Sequence, residues 1–400
     1  MNPTPPRVSL LLWIVNLSSI AASVFSYVYL SYSAYQKTGS MLLSEAVLLA
    51  PMVIPVLLCF VINAAAGRRS PKAILVWFNF AGMLVAAATY ALVDRFVAAA
   101  VAGTLVIGFL DATQRIARTV AIKRYFSNDD IRYALPITLT AQFIAGAIAG
   151  VALSLYKSEI TSTMAGAITI AAYGLGTLAA VLLPRAPAQP APAASAGAFG
   201  TLVQVLRTSP ALQRHFIAFI LLVSVYQGFF NVSRVTLPIS VLGLSQTHVG
   251  YLQIISATSA LIAALMFAFA SRRGVTPGKV AMFAMNVICL GAMAGSAAFR
   301  DVTVSYTLYF VYMFFWEVLF FKHQADVVAA TPPEHMALVA TFQYASVYLG
   351  MIVAGFAGSW IAQGYGLFVA ALAFVVFYVA SMTWNAMRDI SAVRESAYGR

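Results

Sequence analysis

Charge is what this sequence has least of. Lys, Arg, Asp and Glu together make up 9% of 400 residues, against about 25% in a soluble domain. That scarcity excludes a water-soluble enzyme of this length. It also excludes a disordered chain, which needs low hydrophobicity and high net charge. Cysteine is nearly absent. Cys59 and Cys289 both fall inside apolar runs, where they read as small buried hydrophobes rather than a disulfide or metal pair. No Walker A sequence, nucleotide-binding segment, zinc motif or paired nucleophile and base is found. Direct ATP hydrolysis, hydrolase chemistry and a resident cofactor are therefore not expected. Neither is nucleic acid as a partner.

What is abundant is hydrophobic surface, 62% of the residues. It comes in runs repeated along the chain, and a helix needs about 20 apolar residues to cross the hydrocarbon. The pattern predicts an all-α membrane protein of twelve crossings, near 8–35, 41–64, 73–93, 96–122, 133–156, 162–183, 212–240, 247–270, 279–298, 302–326, 337–362 and 365–387. The first run is too long for a signal h-region and has no cleavage site after it, so it is expected to stay in the membrane. The stretch RAPAQPAPAASAGAF has the composition of a linker. A short surface helix is predicted within TLVQVLRTSPALQRHF. The expected organisation is a six-helix half over 1–184, a cytoplasmic linker over 185–211, a second six-helix half over 212–387 and a tail over 388–400.

The net charge of +12 fits this layout. With the N-terminus inside, the inner segments collect Arg68, Arg69, Lys72, Lys123, Arg124, Arg185, Arg272, Arg273 and Arg394, among others. The outer loops hold only Lys37, Arg95, Lys157 and Arg300. Excess Lys and Arg mark cytoplasmic loops, so both termini are expected in the cytoplasm and the protein in the cell inner membrane.

The halves repeat at an offset of about 204 residues, as in transporters built from parallel repeats. Arg68-Arg69 recurs as Arg272-Arg273, and Gly146 and Gly150 recur near Gly350 and Gly355. This pattern resembles the major facilitator superfamily over the whole chain. The basic turn after the second crossing, Gly67-Arg68-Arg69, fits the end of that family's motif, while Ala64 and Ala65 stand where Asp and Arg are expected. The Gly-Pro pair common in the fifth helix of its antiporters is missing from Ala145–Gly150. The connection from Gln114-Arg115 to Asp130-Ile131-Arg132 loosely resembles that of siderophore and macrolide exporters. The resemblance implies twelve helices in two pseudo-symmetric halves, helices 1, 4, 7 and 10 lining a cavity, alternating access, and a monomer moving a small molecule, with protons as coupling ion.

Each ionisable side chain in the hydrocarbon costs about 2.5–3.5 kcal/mol on insertion scales, so it needs a partner, water or a task. Glu317, in Phe314-Phe315-Trp316-Glu317, is the leading candidate for proton coupling; the alternative is a structural pair with a buried Arg. Asp111 is the second, and it stands four residues before Arg115 in a position to be neutralised. Arg118 matches Lys322 under the repeat, and Lys322 can pair with Asp326. These basic groups read either as an inner gate and anion contact or as structural salt bridges. Polar stripes mark two helices. Asn16, Ser19, Ser23 and Ser26 lie on one face, and Ser224, Gln227, Asn231 and Arg234 on another. Such rows avoid lipid, and read as cavity lining or interhelical hydrogen bonds. Arg234 with Glu45 is a weaker candidate pair. Tyr27 is a candidate to line the cavity with Ser23, and Tyr226, Tyr344, Tyr348 and Trp316 are candidates for an aromatic wall, with packing as the alternative. His215 and His323 lack metal-ligand spacing and read as interfacial or packed residues.

The function these residues predict is secondary transport of a small to medium organic compound, as proton-coupled export. The alternatives are a proton-coupled importer of a nutrient or metal chelate, and a non-transporting sensor or scaffold.

Overall fold

The computed structural model describes residues 6–38, 41–155, 161–185, 197–244 and 247–398. The Ala/Pro-rich linker 186–196 and Lys157 lie outside them, as do the side chains of Glu45, Arg68, Gly150 and Arg394.

Described structure is helical throughout. Fourteen α-helices follow one another: α1 Pro6–Thr38, α2 Met41–Leu57, α3 Cys59–Arg68, α4 Pro71–Leu92, α5 Val97–Tyr125, α6 Asn128–Leu155, α7 Ser162–Leu182, α8 Ala198–Thr208, α9 Pro210–Thr236, α10 Thr247–Arg272, α11 Lys279–Ala298, α12 Val302–Ala330, α13 Met336–Tyr365 and α14 Leu367–Tyr398. Eleven are long and apolar enough to cross a membrane. The twelfth crossing is the pair α2 and α3. One helix is predicted over 41–64, but the chain breaks at Leu58 (φ −107°, ψ 19°). Pro51 and Pro55 lie inside α2, and each removes a backbone donor and crowds the preceding turn. The predicted surface helix forms as α8. The last helix runs on to Tyr398, past the predicted boundary at 387, so the expected tail is largely helical.

Helix starts follow local chemistry. The Ser70 hydroxyl accepts from the Ala73 amide with Pro71 next in line, and Ser209 accepts from Leu212 ahead of Pro210. Thr161 caps α7 through the Met164 amide at 3.2 Å. Each satisfies a donor that the first turn leaves open.

The chain forms two compact units, Met1–Val203 with Thr331–Ala345, and Gln204–Ala330 with Ser346–Arg400. In the first, Phe25, Leu30, Val47, Ala86, Tyr90 and Ala165 build an apolar cluster among α1, α2, α4 and α7. A polar knot sits inside it: Tyr90 Oη donates to Ser26 Oγ at 3.2 Å, and Thr169 Oγ1 lies 3.3 Å from the same hydroxyl. Phe342, near the start of α13, also belongs here and packs edge-on to Phe60 of α3 at 5.6 Å. In the second unit the rings of Tyr226, Phe229, Tyr312 and Phe374 interlock, with Tyr226–Tyr312 at 6.1 Å and Phe229–Phe374 at 6.1 Å. Their hydroxyls are satisfied. Tyr378 and Tyr226 both donate to Asn286 Oδ1, at 2.7 and 3.3 Å, and Tyr312 donates to the Tyr226 carbonyl. A buried phenol without such a partner would be costly.

Candidate functional site

In the first unit the buried charged side chains among the described residues, Asp111 and Arg118, lie on α5. Arg115 Nε donates to Asp111 Oδ2 at 2.9 Å, the i,i+4 pair expected from the spacing. Asp111 is buried and Arg115 half-buried, so each offsets the other's cost in hydrocarbon. One turn further, buried Arg118 donates to Ser19 Oγ of α1 at 2.8 Å. Beside these groups stands a residue that composition and spacing do not single out. Gln114 is fully buried, and among the described residues neither its amide oxygen nor its amide nitrogen has a hydrogen-bond partner. Asp111 Oδ1 is likewise unbonded among the described residues. Buried polar atoms in this state call for water or a bound group.

The serine and asparagine stripe of α1 turns inward. Asn16 is fully buried and donates to the Thr138 carbonyl at 2.6 Å, which ties α1 to α6. Ser23 is fully buried and donates to the Ile20 carbonyl of its own helix. Both are enclosed in this structure, and Asn16 Oδ1 has no hydrogen bond among the described residues. Tyr27 is buried too. Tyr344 lies half-buried on the part of α13 that groups with the first unit.

The second unit is arranged differently. Gln227, Asn231 and Arg234 are the partly open positions of an otherwise enclosed stretch of α9. Gln227 Nε2 donates to Asn231 Oδ1 at 3.3 Å. Arg234, half-buried, has no hydrogen bond or ion pair among the described residues. Just beyond it the chain loosens into a π-turn over Leu237–Val241, with Pro238 near its start. Facing α9, Trp316 of α12 stacks on Tyr312 at 6.2 Å and lies 6.3 Å from Phe230. Its Nε1 is buried without a partner among the described residues. The next residue, Glu317, is 5% exposed and likewise has neither hydrogen bond nor ion pair among the described residues. The structural alternative for it, a salt bridge to a buried Arg, is therefore not found.

Toward the end of α12 the charges are paired. Lys322 Nζ contacts Asp326 Oδ2, as the spacing predicts, and His215 Nδ1 of α9 lies 3.7 Å from the same oxygen. His215 thus belongs to a charge cluster rather than standing alone, a link that joins two helices about a hundred residues apart and has no local signature. His323 Nδ1 is buried without a hydrogen bond among the described residues. Among the described residues no group of three or more His, Cys, Asp or Glu is placed to hold a metal.

No family model matches the sequence, and no curated protein does. The structure, by contrast, is similar to solved transporters along almost its whole length. The human organic anion transporter MFSD10 (TETRAN) superposes with a TM-score of 0.78 at 12% identity, covering 96% of this chain and 100% of that one. The E. coli fucose:proton symporter FucP gives 0.74 at 15% identity, covering 96% and 99%. A bacterial homologue of the iron transporter ferroportin, in an outward-facing state, gives 0.74 at 11%, covering 95% and 99%. FucP is a Major Facilitator Superfamily transporter. The architecture is therefore the major facilitator fold, an all-α membrane protein of two six-helix halves. At these identities the likeness concerns the fold alone.

Proposed function

We propose that the chain is a secondary active transporter of the major facilitator type, not an enzyme, and that it couples movement of a small to medium organic compound to protons through Glu317. It works as a monomer in the cell inner membrane with both termini in the cytoplasm. The halves are 1–184 and 212–387, joined by a linker over 185–211. Export is the direction suggested by the exporter-like connection between α5 and α6. Uptake is the second reading, favoured by the structural likeness to a fucose:proton symporter.

The observation that carries the coupling role is the isolation of Glu317. A carboxylate in a membrane span that lacks a cation, a hydrogen bond and open water is held there at a cost. In its neutral form that cost largely disappears. The free energy of the site therefore depends on its proton, and a conformation that opens it to one side exchanges that proton with one compartment. A proton gradient can then bias the two conformations, provided they differ in proton affinity. Substrate contacts fall to Gln227, Asn231, Arg234 and Trp316 in the second half, with Asp111, Arg115, Arg118, Lys322, Tyr27, Asn16, Ser23 and Tyr344 as the further candidates. The guanidinium of Arg234, without hydrogen bond or ion pair among the described residues, favours an anionic substrate, which agrees with the structural likeness to an organic anion transporter.

Sealed vesicles carrying the purified chain test this. A panel of radiolabelled organic anions and neutral sugars is offered with the pH gradient imposed in each direction. Gradient-dependent accumulation that Glu317→Gln abolishes supports the reading, and its direction separates export from uptake. No flux of any compound under either gradient would favour the sensor or scaffold.

A further inference from the structure

Bordering the polar face of α9 at Ser224, the second unit has a crevice of about 390 Å³ between α9, α13 and α14. Its floor is made of the small residues Gly350, Ala354 and Gly358, and its walls include Val353, Ile361 and Phe377. Glycine is required where α13 meets α9: a Cβ at Gly350 would stand 1.9 Å from Ser224 Oγ. The close approach this permits leaves a furrow with no side chain filling it.

Three features identify what fills it. The first is the surrounding solvent. Val353 is 59% exposed and Phe377 55%, and both lie within candidate membrane spans. The mouth therefore opens onto hydrocarbon, not water. The second is length. Gly350 to Ile361 covers about 17 Å at 1.5 Å per residue, close to the roughly 15 Å depth of one leaflet of a 30 Å core. The furrow runs from the middle of α13 to near its C-terminus, so it spans one leaflet from midplane to interface. The third is chemistry: Ser224 is the one polar side chain in the lining, and its buried Oγ has no hydrogen-bond partner among the described residues.

We infer that this crevice seats a single acyl chain of a membrane lipid. The chain gains no hydrophobic free energy, since it comes from hydrocarbon. It is held by close packing against a floor that would otherwise lack contacts. Residence is accordingly preferential and exchangeable. This inference does not depend on what the transporter carries.

The test uses the full-length protein in phosphatidylcholine vesicles doped with a phospholipid bearing a diazirine in mid-chain. Adducts are mapped after irradiation and digestion. The reference position is Phe283 on α11, which is 72% exposed within another span and reports ordinary lipid contact. Labelling of the crevice walls is expected to exceed that of Phe283 several-fold. Ala357→Phe, which fills the furrow, should remove the excess while leaving Phe283 labelling unchanged. Ala373→Leu on the α14 wall serves the same purpose should the first variant not fold. Ser224→Ala should leave the excess intact. Equal labelling at the two places, or an excess that survives filling, overturns the assignment. So does an excess lost in Ser224→Ala, which would give the crevice to a ligand with a polar group.

Discussion

Helices α5 and α12 occupy equivalent places in the two sequence repeats, yet they treat charge in opposite ways. On α5 the carboxylate is neutralised within its own helix, by Arg115 four residues on. On α12 the pairing of Lys322 with Asp326 is kept near the helix end, while Glu317 in the middle stands alone. A salt bridge offsets a carboxylate's charge with an opposite one held beside it. An isolated carboxylate in the same surroundings can lose its charge by taking a proton. One repeat has thus kept charge as structure, and the other has kept a group whose charge can change.

The sharpest way to break that contrast is Glu317→Gln. It mimics the protonated form, so folding should survive. Gradient-driven accumulation should be abolished, while exchange down a substrate gradient persists in sealed vesicles. If Glu317→Gln still concentrates substrate like the parent, the coupling role passes to Asp111. Next in size is Asp111→Asn. It removes the buried partner of the Asp111–Arg115 pair, and removal of one partner of a buried pair costs about 3 kcal/mol. Thermal unfolding in detergent should show a marked loss, and Asp111→Asn with Arg115→Gln should regain most of it. No regain would mean that Arg115 is stabilised by other groups.

Arg234→Ala sharpens the comparison from the substrate side. Loss of a charge-assisted bond of about 1.5–3 kcal/mol should weaken binding of an organic anion about tenfold or more, and leave a neutral sugar nearly unchanged. Competition binding on the two classes reads this directly. The smallest effect is expected outside the membrane, at Asp94 between α4 and α5. Its carboxylate is held below the usual range first by the Ser162 hydroxyl it accepts from, and then by Lys37 at 3.3 Å, partly offset by burial. A lowered value means that the tie is fully present above the unfolded carboxylate range and is lost as pH falls through the folded value. Thermal melts taken from neutral to acidic pH should therefore converge for parent and Asp94→Asn only at the acid end.

Most of the crossings are legible in the sequence because a span is a local property, set by length and apolarity. The i,i+4 pairs Asp111–Arg115 and Lys322–Asp326 are legible for the same reason. The break at Leu58 is not, since α2 and α3 read as one apolar run and the effect of Pro51 and Pro55 depends on what packs against them. The site is legible as a set of unusual residues, but their partners are not. Nothing in the local sequence brings His215 to Asp326, turns Asn16 toward Thr138, or leaves Glu317 without a cation. Those are products of helix packing between segments far apart in the chain.

The interruption of the second crossing has a mechanical meaning. A continuous helix behaves as a stiff rod, so a tilt at one end is a tilt at the other. Here α2 and α3 are joined through one residue that leaves the helical path. On the side facing α5, Gly108 leaves room for Pro51; a Cβ there would approach the proline's Cα to 3.0 Å. The joint is a kink rather than a gap, because Leu58 N still donates to the Ile54 carbonyl and the Leu58 carbonyl still accepts from Ile62 N, both at 2.9 Å.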